Sequence, residues 1–261
     1  MSAMSTDRPL FGFPRLEFHT VTSTLDIARE QASRGAPHGT LIVASHQSAG
    51  RGRRGARWLD EPGSSALMTF VLRAASIPNL QPWQIPFAAS LACAFSLNEL
   101  GYLNARIKWP NDLTIEQCKV GGLMVETVAS AAFGSAYMVG IGVNVAQTSF
   151  VDESEFAARP TSLKIAADDV GVSDPPNAQV IVDAVASNMG RILAFADDAG
   201  DGELMAAWRG RQETGHRQRG IALSSGEAVS GIYRDARIAD GAGLLEVEGS
   251  ADWIAVAPSP A

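Results

Sequence analysis

Two apolar spacings alternate along the chain, and their order predicts its elements. Leu25, Ala28 and Ala32 recur at helical intervals within residues 22–35; Thr22 or Ser23 can cap that helix and Gly35 can end it. Residues 41–45 and 66–73 are short apolar runs of the kind that form buried strands. Residues 85–100 are almost wholly apolar at helical spacing, which predicts a helix packed across a sheet, ended by Gly101. Strand-like runs follow at 105–109, 122–128 and 137–145, separated by turn chemistry at Pro110-Asn111-Asp112 and Gly134-Ser135. Residues 152–176 read as polar and irregular, and 178–196 and 204–212 return to helical spacing. After Thr214, short runs with Gly and Asp turns predict a small β module. The predicted class is α+β: a mixed sheet with helices packed on one face, then a small C-terminal β-barrel. The expected divisions are a flexible lead-in over 1–14, a main domain over 15–213, and the barrel over 214–261. A module of about 45 residues is marginal alone, so it should dock on the main domain.

Composition narrows the function. The chain has 261 residues, 46% hydrophobic and 19% charged, which suffices for a substantial core. A formal net charge of -7 argues against bulk binding of a phosphate backbone. Cys93 and Cys118 lack the spacing of a disulfide framework or a zinc site. His19, His38, His46 and His216 are scattered, so no metal ligand set is assigned. The N-terminus lacks the apolar run of a secretory signal. No stretch approaches the ~20 apolar residues of a spanning helix, so the cytoplasm is the default location.

Four segments carry candidate chemistry. Gly50-Arg-Gly-Arg-Arg-Gly-Ala-Arg-Trp58 packs four arginines among three glycines. Guanidinium forks bind phosphate oxygens bidentately, and glycine lets the backbone approach a ligand. Mutual repulsion should keep this loop mobile until an anion arrives, and Trp58 offers a flat face for a base. Taken alone, the same run fits an exposed basic loop or an RNA-binding patch; it lacks the spacing of a Walker A loop. Lys108-Trp-Pro-Asn-Asp112 precedes Lys119, which can put a point charge on a carboxylate or an α-phosphate. Gly140-Ile-Gly-Val-Asn144 sets two glycines and Asn144 on one strand face, through close packing or close approach of a ligand. Ser23 and Thr24 stand at a helix start, as a plain cap or a small polar-group site. Gln47 offers a donor and an acceptor to an amide-like or ureido-like group.

Each signal is weak alone; their order is specific. The chain resembles the biotin–protein ligases, also called biotin–[acetyl-CoA-carboxylase] ligases. The resemblance rests on Ser23-Thr24 at the first helix, the loop from Gln47 to Trp58, Lys108-Trp-Pro-Asn-Asp112 with Lys119, Gly140–Asn144, and Thr161-Ser162-Leu163. It covers about residues 16–165 and, more loosely, the remainder. It implies a catalytic domain like that of class II aminoacyl-tRNA synthetases, followed by an SH3-like barrel. It also implies two reactions: biotin and Mg-ATP give biotinyl-5′-adenylate and pyrophosphate, and the biotinyl group then passes to a lysine of a biotin carboxyl carrier domain. The roles it implies are catalysis for Lys119, Arg51 and Arg53. Biotin contacts fall to Ser23, Thr24, Leu25, Gln47, Gly50, Arg51, Gly52, Arg53, Lys119 and Gly122. Nucleotide contacts fall to Arg53, Arg54, Trp58, Lys108, Asn111, Asp112, Lys119, Gly140 and Asn144. Two positions depart from the family: Leu25 stands where Asn is usual, and Ala56 where a further Arg is common. The lead-in is too short for the winged helix of regulatory members, so the monofunctional type is expected, with no DNA or membrane partner, as a monomer or homodimer. A lipoate–protein ligase, a nucleic-acid module and a non-catalytic biotin-binding regulator are the competing readings.

Overall fold

Strands with apolar residues on both faces need cover on both, and the central strands here have it. The computed structural model describes residues 11–150, 159–248, 250 and 252–257. Its elements are β1 (Arg15–Val21), α1 (Thr24–Ser33), β2 (Thr40–Gln47), β3 (Ser65–Arg73), α2 (Ile85–Glu99), β4 (Arg106–Lys108), β5 (Asp112–Ile115), β6 (Cys118–Ser130) and β7 (Gly134–Asn144). There follow α3 (Leu163–Val170), α4 (Ala178–Ala199), α5 (Asp201–Arg209), β8 (Gln212–Glu213), β9 (Arg217–Ala222), β10 (Ala228–Ala236), β11 (Gly243–Glu246) and β12 (Ile254–Ala257). The large sheet runs β1-β2-β3-β7-β6-β5-β4-β8. It is mixed, because β1 pairs parallel with β2 and β4 with β8, while the inner pairs are antiparallel.

The mixed sheet and terminal barrel are as expected, but the helices divide between two faces instead of sharing one. Leu41, Met68, Phe70, Val139, Ile141 and Val143 belong to the large core with α2 and α4. On the reverse face, Ile42, Val71 and Met138 form a smaller core with Leu25, Ala28 and Ala32 of α1. The reason is the period of two: β2, β3 and β7 are apolar on both sides, so a single helical layer would leave one side wet. Arg73 anchors α1 from the sheet, donating Nε to Ala36 O at 2.7 Å and Nη2 to Ala32 O at 2.9 Å, which satisfies carbonyls at the helix end.

β1, β5, β8 and α3 escaped the sequence patterns; β5 begins at the Asp112 read as part of a turn. β1 is a largely exposed edge strand whose polar residues mask its spacing. Just before it, Phe11 stacks on Phe70 at 5.5 Å and meets His38 edge-on, so the chain joins the core within the expected lead-in; residues 1–10 of that lead-in lie outside the described residues. α3 arises within the stretch read as irregular, at the Thr161-Ser162-Leu163 segment that the resemblance marks as a helix opening, and is capped by Ser162, whose Oγ accepts from Ile165 N at 3.1 Å.

The β5–β6 hairpin turns through Glu116 (φ 47°) and Gln117 (φ 63°), both left-handed. That backbone costs about 1–2 kcal/mol per non-glycine residue. Gln117→Gly is therefore expected to raise stability by about 0.5–1 kcal/mol after its own entropy cost, read as a higher thermal midpoint. An unchanged or lowered midpoint would refute the assignment.

The barrel closes in the order β10-β11-β12-β9. It is fastened to the sheet by Trp109, 2% exposed, whose ring stacks on Tyr233 at 5.7 Å and whose Nε1 donates to Gly241 O at 3.1 Å. Gly243 allows that approach, since a Cβ there would lie 3.0 Å from the indole.

Candidate active site

The candidate site is built around the α1 N-terminus. Ser23 caps α1, and its Oγ accepts from Leu25 N at 3.3 Å. Gln47 ends β2, and its Oε1 accepts from Thr24 N at 2.8 Å, Thr24 Oγ1 at 3.1 Å and Ser23 Oγ at 3.3 Å. Thr69 Oγ1 completes the chain by donating to Thr24 Oγ1 at 2.8 Å. The Gln47 acceptor is thus engaged within the protein, and its Nε2 is directed toward Gly50, where a Cβ would sit 3.2 Å away. Leu25, in place of the usual Asn, is buried: its side chain lies over Gly140, where a Cβ would come within 2.9 Å of it. The departure therefore has an apolar partner in the α1 core, and Gly140 faces Leu25 there.

The arginine loop is folded back as a hairpin. Gly63 N donates to Ser45 O, Trp58 N to Gly50 O and Gly52 N to Ala56 O at 2.8, 3.0 and 2.7 Å, and Arg51 bridges Arg57. The repulsion expected among the arginines is offset by acidic neighbours. Arg51 pairs with Asp26 at 2.8 Å and Glu126 at 3.3 Å, and Glu126 also holds Arg29. Arg53 Nη1 donates to Asn111 Oδ1 at 3.2 Å. The side chain of Arg54 lies outside the described residues, and Ala56 is exposed. Trp58 seats its ring against Gly142, where a Cβ would be 2.7 Å away. Gly50 is required by Trp58 itself, whose carbonyl would lie 2.6 Å from a Cβ there.

Lys119 is fixed by its backbone and held by a carboxylate. Its N donates to Arg159 O and its O accepts from Thr161 N, both at 2.7 Å, across a parallel bridge to Pro160. Asn144, 7% exposed, pins that same strap by donating Nδ2 to Thr161 O at 3.0 Å. The Lys119 ammonium lies 2.6 Å from Asp112 Oδ1, in a partly exposed pair. Gly122 lies beside it, with Asp112 Oδ1 3.3 Å and Lys119 Cε 3.6 Å from where its Cβ would stand. Asn111 and Asp112, neighbours in sequence, thus hold Arg53 and Lys119 at adjacent places. Lys108 faces Asp112 across the β4–β5 pair.

The family model described as the biotin/lipoate A/B protein ligase family matches residues 17–144, which hold all of these groups except the strap at 159–161. A biotin–[acetyl-CoA-carboxylase] ligase of Paracoccus denitrificans is 34% identical over 172 residues, covering 65% of this chain and 69% of that protein. The chain belongs to the biotin/lipoate A/B protein ligase family. Another relative, the bifunctional ligase/repressor BirA of Bacillus subtilis (strain 168), is 37% identical over 155 residues, covering 58% of this chain; the match spans about half (47%) of BirA's own length. The fold agrees with this biotin/lipoate ligase membership. The Aquifex aeolicus biotin protein ligase solved with biotin and ATP superposes with a TM-score of 0.74, covering 93% of this chain and 94% of that one at 23% identity.

Within that ligase frame, the groups expected to act together are brought to one region: Ser23, Thr24 and Gln47 at the α1 end, the hairpin across it, and Asn111, Asp112, Lys119 and Gly122 on its far side. Asn144 joins it indirectly, through the strap that grips Lys119. No spacing in the sequence points to Asp26, Arg29 or Glu126, whose partners come from elements far apart along the chain. Cys93 is inert: burial pushes its thiol up to about 12.

Proposed function

We propose that this chain is an ATP-dependent biotin–protein ligase that forms biotinyl-5′-adenylate and then biotinylates a lysine of a biotin carboxyl carrier domain. The observation that carries this reading is the adjacency of Arg53 and Lys119 on the consecutive residues Asn111 and Asp112. Joining a carboxylate to a triphosphate brings two anions together, and fixed cations at that point lower the barrier. On substrate binding, Lys119 leaves Asp112 for the carboxylate and α-phosphate oxygens. Arg51 and Arg53 turn to the phosphate side, and the carboxylate oxygen attacks the α-phosphorus as pyrophosphate leaves. Gln47, Ser23 and Thr24 read the ureido ring, Trp58 walls the site over Gly142, and Lys108 and Asn111 line the nucleotide side. The hairpin then shields the mixed anhydride from water until the acceptor amine displaces AMP. Magnesium enters with the triphosphate, held chiefly by phosphate oxygens and water. Among the described residues no helix is long and apolar enough to cross a membrane; a cytoplasmic reaction suits an ATP substrate and two free cysteines.

The test is to incubate the protein with biotin, Mg-ATP and a carrier domain, with lipoate in parallel. Biotinylation of one carrier lysine supports the reading, and adenylation of lipoate alone would replace it. Asp112 serves Lys119 here and is not the base for the acceptor amine. Asp112→Asn is expected to slow adenylation about tenfold while leaving transfer from preformed adenylate near normal. Loss of transfer alone would make Asp112 the base.

A further inference from the structure

One buried ionisable pair stands outside the chemistry above. Asp60 lies at the exit of the arginine hairpin with its side chain fully enclosed (0% exposed). Its Oδ2 accepts from His46 Nδ1 at 2.9 Å and, at 3.4 Å, from Gln47 N. Its Oδ1 is buried without a partner among the described residues. Burial pushes the Asp60 carboxyl up, and the His46 hydrogen bond and charge and the Gln47 amide draw it back. A buried carboxylate is costly, and two ordinary loop ends would be joined more cheaply by backbone bonds, as Gly63 N and Ser45 O already do nearby.

The location gives the pair its use. His46 and Gln47 form the hairpin's entry, Asp60 its exit, so one carboxylate ties both ends across the loop that carries Arg51, Arg53 and Trp58. Gln47 is also the residue whose side chain is locked to Ser23 and Thr24. We propose that His46 and Asp60 are positioning residues that lock the base of the arginine hairpin, and through the Gln47 backbone set the biotin-reading amide. This rests on the biotin–ligase reading of the site. Neither residue meets substrate. Loss of the lock lets the hairpin entry and Gln47 shift together, which weakens ligand capture while the reacting groups on β5 and β6 stay in place.

The test uses the full-length protein and compares wild type, His46→Ala, His46→Asn and Asp60→Ala. His46 is the accessible partner, 26% exposed at its side chain, so its variants keep the question answerable if Asp60→Ala fails to fold. Asn puts an amide N–H where imidazole Nδ1 stands, and so restores the bond to Asp60. Expected for His46→Ala is a roughly tenfold weaker biotin affinity by calorimetry and a roughly tenfold faster escape of adenylate. At saturating biotin its pyrophosphate exchange falls less than its affinity, because Lys119 keeps its place on β6, and His46→Asn recovers most of the affinity. A role in stability alone would lower the melting temperature and leave the affinity of the folded enzyme unchanged, which overturns the lock. So would His46→Asn behaving like His46→Ala. A wild type that binds no biotin would overturn the functional reading itself, and the lock with it.

Discussion

Lys119→Ala is expected to reduce biotin-dependent pyrophosphate exchange by about 10²–10³-fold, the scale of losing one preorganised charge in a closed site. Two features of the structure set this size. The Lys119 backbone is clamped on both sides by Arg159 O and Thr161 N, so the ammonium is delivered from a fixed root. Its partner Asp112 is only 20% exposed at the side chain, so deleting the lysine leaves a half-buried anion facing two incoming ones. Lys119→Ala/Asp112→Ala should therefore recover part of the loss. Lys119→Arg should not restore the rate, because a planar fork cannot replace a point charge on that stem. An exchange rate unchanged in Lys119→Ala would remove Lys119 from the chemistry.

The largest effect on stability is expected from Trp109→Ala, about 3–5 kcal/mol, read from urea denaturation. Three contacts are lost at once: the stack on Tyr233, the hydrogen bond to Gly241 O, and the packing against Gly243. Trp109 shares the tie between main domain and barrel with Arg209, which pairs with Asp235 and donates to Ala236 O, and with Gln212, which accepts from the Tyr233 hydroxyl. The barrel should therefore loosen first, giving an early second transition where wild type has one. A single transition shifted by less than about 1 kcal/mol would mean the barrel is held elsewhere.

These two residues also mark what the sequence could and could not convey. Helices α1, α2 and α4 and strands β2, β3, β4, β6 and β7 were legible from their apolar runs, whereas four-residue β5 was masked by the turn residues that open it. The site motifs were legible as an ordered set, from Ser23-Thr24 to Asn144. The purpose of individual members was not. Trp109 sits inside the most specific motif, yet it points to the barrel and not into the site, which no spacing reveals. Gly140 and Gly142 read equally as ligand or packing positions; the structure gives them Leu25 and Trp58. β1 was hidden because its Arg-Leu-Glu-Phe-His alternation is short and its residues are mostly exposed. The arginine run by itself carried no sign of Asp26 and Glu126, which pair with Arg51 from elements distant in sequence.

The acidic partners of the site's cations reach beyond architecture. Asp112 on Lys119, and Asp26 and Glu126 on Arg51, already neutralise the cations that the proposed mechanism turns to the ligand's oxyanions. Association is then a change of partner for each cation, from a protein carboxylate to a ligand oxyanion, rather than a release of bulk counterions. Few bulk ions need be shed when ligand arrives, so affinity should vary only gently with ionic strength, unlike that of a bare basic groove.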